Sequence, residues 1–291
     1  MRRRTAVNIQ ELLEMRVAYC NSEGKTFEFL NNRKIKFKEA DFHKYNYGYE
    51  STDLGIGAKI NQFKKEPYKN KLELYFCGSA KSRGKNIAEF HDATIVDINK
   101  MQTGRLIWGE WYIPCYIIEG DTYPSETKAN TTVREATILC PRPFWVKEKT
   151  FQFFPQKQEQ TVEGLDFPTD FPFDFATEEF GVEVREVDHF AESDFLMRFY
   201  GPYSNPKLTI NGYPYQIFTT LETNEYLEIN SRKNSVIKYM ANGTTADLYN
   251  SRSFEYSVFE KIPSGRLVFN WPGTFGIDIT LFLERGVPKR W

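Results

Sequence analysis

Histidine is nearly missing from this chain, with only His43, His91 and His189 among 291 residues, and none has a cysteine or a second histidine at ligand spacing. A histidine-built metal centre or proton relay is therefore not expected. Neither HExxH nor GxSxG occurs. Cysteine is almost as scarce: Cys20, Cys77, Cys115 and Cys140 have neither the density of a disulfide scaffold nor CxxC spacing, and are expected as buried free thiols of a protein made in a reducing cytosol. No 18 apolar residues run together, so no segment is expected to span a bilayer and the chain is expected to be soluble. The basic start, Met1-Arg-Arg-Arg-Thr5, lacks a following apolar core, because Asn8, Gln10, Glu11, Glu14 and Arg16 interrupt it. No secretion signal is read there. Net charge is missing too: 38 Lys+Arg face 39 Asp+Glu, which leaves no long-range field to hold a phosphate backbone or an anionic membrane.

Aromatic residues are abundant. The chain has 25 Phe, 17 Tyr and 5 Trp, and such side chains fit pleated surfaces better than helices. The expected class is all-β dominated. Phe27–Phe37 reads as a hairpin about Asn31-Asn32, followed by strands at Phe42–Tyr49 and Lys71–Cys77. One helix is predicted, with Ile87, Phe90, Thr94, Ile98 and Met101 as its apolar stripe, capped by Ser82 or Asn86 and ended by Gly104. A second, weak helix is suggested within the first twenty residues. Arg105–Gly109 with Trp111–Glu119 forms a hairpin, and Thr131–Cys140 is a strand stopped by Pro141 and Pro143.

These boundaries divide the chain into 1–145, a Pro/Phe-rich linker at 146–176, and 177–291. In the last segment short strands alternate with turn pairs at Asn211-Gly212, Asn224-Glu225, Asn242-Gly243, Ser264-Gly265 and Pro272-Gly273. That spacing predicts a β-sandwich.

Candidate chemistry is thin. Gly78-Ser-Ala-Lys-Ser-Arg-Gly84-Lys85-Asn86 has five residues between its glycines where a phosphate loop takes four, and Asn in place of the magnesium-binding hydroxyl. It reads as a plain strand-to-helix turn with solvated basic residues. Gly55-Ile-Gly57 lacks a third glycine, and Asp166, Asp170 and Asp174 are interleaved with prolines, so they read as solvated carboxylates. Tyr200, Tyr203, Tyr213 and Tyr215 are expected mainly in packing roles. No catalytic, cofactor-binding or metal residue is assigned, and no enzyme activity is expected.

Several stretches together resemble the distal tail proteins of long-tailed (siphovirus-like) bacteriophages. They are Leu30-Asn-Asn-Arg-Lys-Ile-Lys-Phe37, the helix leading to Gly104-Arg-Leu-Ile107, and the Thr132–Pro143 strand running into Phe144 and Trp145. Lys207-Leu-Thr-Ile-Asn-Gly212, Glu260-Lys-Ile-Pro-Ser-Gly265, Trp271-Pro-Gly-Thr-Phe-Gly-Ile-Asp-Ile-Thr280 and Glu284-Arg-Gly-Val-Pro-Lys-Arg-Trp291 complete the set. The resemblance spans residues 25 to 291. It implies an N-terminal β-sandwich belt domain with one helix, six copies of which close a ring, followed by a galectin-like C-terminal β-sandwich. It also implies a structural hub of the virion tail tip, made in the host bacterial cytoplasm. Its partners would be the tail tube protein, a tail-tip protein and a receptor-binding protein; DNA would pass the lumen without specific binding, and no membrane partner or cofactor is implied. The competing reading is a module that binds host cell-wall polysaccharide, which fold analogy alone supports: Trp271, the one Trp of the second domain before the terminus, sits against Pro272-Gly273 and reads more as a strand-end turn than as a sugar platform.

Overall fold

The computed structural model describes residues 16–30, 32–43, 45–155 and 181–289. The chain divides into two compact units, Met1–Lys147 with Glu284–Trp291, and Glu148–Leu283. The described residues are strand-dominated with one α-helix, in agreement with the expected all-β class. The possible helix in the first twenty residues and the three aspartates at 166, 170 and 174 fall mostly or wholly outside the described residues; the part that is described, Val17–Cys20, is a strand.

The first unit contains, in chain order, β1 (Val17–Cys20), β2 (Thr26–Glu28), β3 (Ile35–Ala40), β4 (Gly48–Asp53), β5 (Ala58–Lys64) and β6 (Tyr68–Cys77). Helix α1 (Ala80–Lys100), β7 (Gly104–Trp108), β8 (Trp111–Pro124), β9 (Thr131–Cys140) and the start of β10 (Trp145–Phe153) complete it. β8 is long enough to serve two antiparallel sheets. Its first half pairs with β7, which leads on to β1 and β2; its second half pairs with β9, which leads to β6 and β3, with a register shift between Ile117 and Glu119. A bulge of this kind bends a strand so that one chain segment can join two layers. Between the layers lie Leu72, Leu74 and Phe76 of β6, the predicted one-sided face, with Ile113, Cys115, Ile117, Ala136, Ile138, Cys140 and Trp145.

Two strand expectations are corrected here. β2 and β3 do not form a hairpin about Asn31-Asn32: β2 pairs with β1 and β3 with β6. A single bond, Phe37 N to Phe29 O at 2.9 Å, links the flanks. Each strand thus satisfies its backbone groups on a separate partner, which a short isolated ribbon cannot match. Nor do the described residues between Phe42 and Tyr47 form a strand. Phe42 is a buried plug against Trp108 (4.8 Å between ring centroids) and Trp145 (5.4 Å), and β4 begins only at Gly48.

The helix exists, with Phe90 and Thr94 buried as expected, but both caps and the rest of the buried face differ from expectation. Ser79 is the N-cap, its Oγ accepting from Ser82 N at 3.4 Å, and Met101 ends the helix in the left-handed region (φ 51°). The buried stripe is Asn86, Phe90, Ala93, Thr94 and Asp97, whereas Ile98 and Met101 face solvent. Asp97 explains the rotation. Its carboxylate accepts from the buried Tyr19 hydroxyl and from Ser22 N at 2.7 Å, so this acid is held inside and its apolar neighbour is turned out. Gly104 has its own role in β7: a Cβ there would lie 2.5 Å from both Asp97 Oδ2 and the Tyr19 hydroxyl. Phe90 anchors the helix, meeting Tyr19, Phe27, Phe29 and Phe76 edge-on.

The second unit takes the rest of β10, then β11 (Gly181–Val187), β12 (Asp194–Tyr200), β13 (Tyr203–Ser204), β14 (Lys207–Ile210), β15 (Tyr213–Gln216) and β16 (Thr220–Leu221). β17 (Tyr226–Asn230), β18 (Ser235–Tyr239), β19 (Thr245–Asp247), β20 (Gly265–Trp271) and β21 (Ile277–Arg285) follow, the last two residues of β21 being counted with the first unit. One layer runs β19-β18-β17-β12-β21 and the other β11-β20-β14-β15. Phe195, Met197 and Phe199 from β12 meet Leu267, Phe269 and Trp271 from β20 in one core. The turn pairs read from the sequence fall between strands, except that Gly265 of Ser264-Gly265 is already the first residue of β20; at Asn211-Gly212 both φ values are positive (49° and 84°), as a tight hairpin turn favours.

Residues 146–153, placed at the start of the linker by sequence, are strand. Phe153 packs on Phe269 at 4.9 Å and on Trp271 at 5.2 Å. The prolines that break the ladder begin only at Pro155, so alternating Phe151 and Phe153 remain free to enter the core.

Candidate interface and binding surfaces

No catalytic constellation forms among the sequence candidates. His43 stands edge-on to Trp108, His91 Nδ1 lies 3.4 Å from Arg134, and His189 packs on Phe190. Among the described residues no group of three or more His, Cys, Asp or Glu is placed to hold a metal ion, and no helix is long and apolar enough to cross a membrane. All four cysteines are free thiols. Burial pushes the Cys140 thiol up to about 12 and raises Cys115 well above its ordinary value, so both stay protonated and poorly nucleophilic at neutral pH.

Gly78–Asn86 does not form a phosphate-cradling loop, because the helix begins at Ala80 and Gly84 and Lys85 are already inside it. Gly55 and Gly57 are turn residues, each at φ 79°, at the tip of the β4–β5 hairpin.

That hairpin is the most unusual surface of the first unit. Among the described residues its strands pair only with each other, and all but one of their residues are exposed. The exposed side chains include a direct cross-strand pair, Tyr49 opposite Phe63, with Ile60 beside it and Leu54 and Ile56 at the tip, Ile56 being 97% exposed. An isolated two-stranded ribbon is marginal in water, and a clustered apolar surface of this kind marks an interaction site. The pattern is legible in the sequence only as alternation. Nothing local says that neither face is covered.

In the second unit the outward face of β12, β17, β18 and β21 carries a row of tyrosines. Tyr200 and Tyr226 lie 6.0 Å apart, and Tyr226 stacks on Tyr239 at 4.6 Å with planes 8° apart. Beside them Arg198 donates twice to Glu228 Oε2 (3.0 and 2.9 Å), and the Tyr200 hydroxyl donates to Asp278 at 2.8 Å. Burial, then the bond to Asp278, raises the Tyr200 hydroxyl above its ordinary value. A cavity of about 350 Å3 adjoins it, lined by Tyr200, Phe153, Phe154, Phe275 and Asp278 among others. Trp271 is not part of this surface. It is only 2% exposed, its indole N–H donating to Phe275 O at 3.3 Å, which removes it as a stacking platform. The four tyrosines grouped by sequence separate: Tyr215 is core, Tyr213 and Tyr203 pack at its margin, and only Tyr200 joins the row.

No protein-family model and no curated protein matches the sequence. Solved structures do share its fold. The crystal structure of SPP1 Dit (gp 19.1), described as a paradigm of the hub adsorption apparatus in phages infecting Gram-positive hosts, matches at 9% identity and TM-score 0.57, over 93% of this chain and 99% of that one. The phage P2 baseplate in its activated conformation with Ca matches at 12% identity and TM-score 0.61, and the same baseplate with Sr at 12% and 0.60; each match spans 94% of this chain and 99% of that one. At such identities the likeness establishes a shared fold, and that fold is the one seen in phage hub and baseplate structures.

Proposed function

We propose that this chain is a structural, non-enzymatic hub of a phage tail. In this reading six copies close a ring through residues 1–145, joining the tail tube to the tail tip. Residues 177–291 form a galectin-like sandwich that can carry a receptor-binding protein. DNA passes the lumen without specific contacts, and the protein resides in the virion. The observation that carries the reading is the fold shared end to end with hub and baseplate structures. The exposed β4–β5 ribbon supports it, since ring closure between identical subunits needs an apolar surface that a monomer leaves uncovered. Light scattering after gel filtration, with negative-stain images of the same peak, tests it. Six copies at 34.2 kDa each give a particle of about 205 kDa with six-fold symmetry. A monomer at all concentrations, with and without tail tube protein, overturns the reading.

A second reading, polysaccharide binding, is favoured by the tyrosine row with its flanking Arg198, Glu228 and Asp278, because stacked aromatics beside charged hydrogen-bonding groups suit sugar rings. Calorimetric titration with host-wall polysaccharide gives saturable heat if it holds, and Tyr226→Ala removes it. No response in the wild-type chain excludes it.

A further inference from the structure

Asn-Gly occurs twice in the chain, at Asn211-Gly212 and Asn242-Gly243, and both pairs are exposed. In this dipeptide a main-chain nitrogen with no Cβ beside it can approach the asparagine side chain, so either pair could close on itself. The structure separates the two by what their side-chain amides do.

Asn211 is tied at both ends. Its Nδ2 donates to Arg266 O at 3.2 Å and its Oδ1 accepts from Val268 N at 2.8 Å, so the side chain bridges its turn to β20. Turning it towards Gly212 would break both bonds. Asn242 is held differently. Its Oδ1 accepts from two donors of one residue, Thr244 N at 2.9 Å and Thr244 Oγ1 at 2.7 Å. The hydroxyl proton goes there because its other acceptor, Met240 Sδ, is weaker and lies at 3.4 Å. Two donors on a carbonyl oxygen draw electrons from its carbon and stabilise the oxyanion that forms when a nucleophile adds, as an oxyanion hole does. That nucleophile is the next residue's nitrogen. Gly243 N donates to Met240 O at 3.0 Å, and this one turn bond has to open. The turn leads into β19, a three-residue strand at the end of its sheet, whereas the Asn211 turn follows β14, which β20 holds. Short edge elements open locally at small cost.

We propose that Asn242 is a self-modification site, converting to aspartate or isoaspartate with water as co-reactant, while Asn211 is protected. Gly243 N attacks Asn242 Cγ. The N–Cγ bond forms as the Cγ–Nδ2 bond breaks, and Nδ2 leaves as ammonia, taking the proton that Gly243 N gives up. Water then opens the cyclic imide. Cleavage of N–Cγ yields aspartate; cleavage of the main-chain bond between positions 242 and 243 yields isoaspartate, with one more carbon in the main chain. Either product places a new carboxylate just beyond β18, the strand that carries Tyr239 of the tyrosine row. The site is independent of ring formation and goes beyond the hub reading.

Peptide mapping by mass spectrometry on the full chain, aged in warm neutral buffer, tests the proposal. Trypsin releases the two asparagines separately, in Tyr239–Arg252 and Leu208–Arg232, and fragment ions locate the exchange of amide for acid. In the folded chain Asn242 is expected to convert about tenfold faster than Asn211, with the two rates converging in concentrated urea. Thr244→Val is expected to slow Asn242 about fivefold, and Thr244→Ser, which keeps the hydroxyl, to restore the rate. Thr244 lies in an exposed turn, so both variants keep the fold. Equal rates in the folded chain, faster conversion at Asn211, a difference that persists in urea, or an unchanged rate in Thr244→Val overturns the proposal.

Discussion

Two hairpins of this chain look alike on paper and behave differently in space. β14–β15 and β4–β5 are both antiparallel ribbons with positive-φ glycines in their turns. The first buries Leu208, Ile210 and Tyr215 and gains β20 as a neighbour. The second pairs with nothing else and leaves Leu54, Ile56, Ile60 and Phe63 in solvent. An alternating sequence therefore specifies a strand without specifying that either face will be covered. Where the chain supplies no cover, the ribbon's stability has to come from something docked against it.

Deleting the same side chain in each ribbon is the sharpest way to break the comparison. Leu208→Ala should lower unfolding free energy by about 3–5 kcal/mol, the range for a fully buried leucine, whereas Leu54→Ala, at 65% exposure, should stay within about 0.5 kcal/mol. Equal losses in urea titrations would show that β4–β5 is covered within the monomer. Tyr19→Phe contrasts a polar core contact with these apolar ones. It removes one of the donors of buried Asp97 and should cost about 2 kcal/mol in the first unit while leaving melting of the second unchanged.

Alkaline pH separates the two units in another way. Cys115 and Cys140 are buried in the first unit with raised pKa values, so the native state keeps protons that the unfolded chain releases above its ordinary thiol value of 9.0. Their contribution is complete below that pH and falls as pH rises, by about 1.4 kcal/mol per thiol per pH unit, until about pH 12 for Cys140. In the second unit the buried Tyr215 hydroxyl begins the same loss only above 10.0. Melting curves between pH 8 and pH 11, in reducing buffer, should show the first unit weakening first; simultaneous loss would contradict the burial assignment.

Glycine turns give a smaller contrast. Gly212→Ala should cost about 1–2 kcal/mol globally for its left-handed backbone, but Gly57→Ala, strained at φ 79° without a steric clash, should loosen only its own ribbon. Hydrogen exchange localises the effect. Smallest of all in monomer stability, near zero, is Leu54→Asp with Ile56→Asp, yet the proposed ring should fail to assemble in light scattering. A normal ring from that double variant would remove β4–β5 from the interface.

Local rules carried the reading furthest where neighbours in sequence are also neighbours in space. β9 runs over Thr131–Cys140 as predicted, the β7–β8 hairpin turns at Gly109, and Asn211-Gly212 makes its tight turn. Where a distant partner decides, the same rules misplace the detail. Periodicity selected Ile98 for the buried face of α1, but Tyr19, 78 residues away, holds Asp97 inside. Gly104 reads as a helix stop, yet its lack of a side chain makes room for that same contact. Trp271 reads as a strand end, which it is, but nothing local says that its ring is buried, while the row of Tyr200, Tyr226 and Tyr239 comes from three strands and has no local signature.

By itself, then, the sequence determined the all-β class, most strand spans and the turns, because alternation and positive-φ preferences act within a few residues. It also set the near-neutral charge and the absence of any catalytic motif. Only the tertiary structure decided which faces are covered, which strand partners which, and that tyrosines of three strands meet in one row. Those outcomes depend on contacts between residues far apart in the chain, whose energies no local pattern encodes.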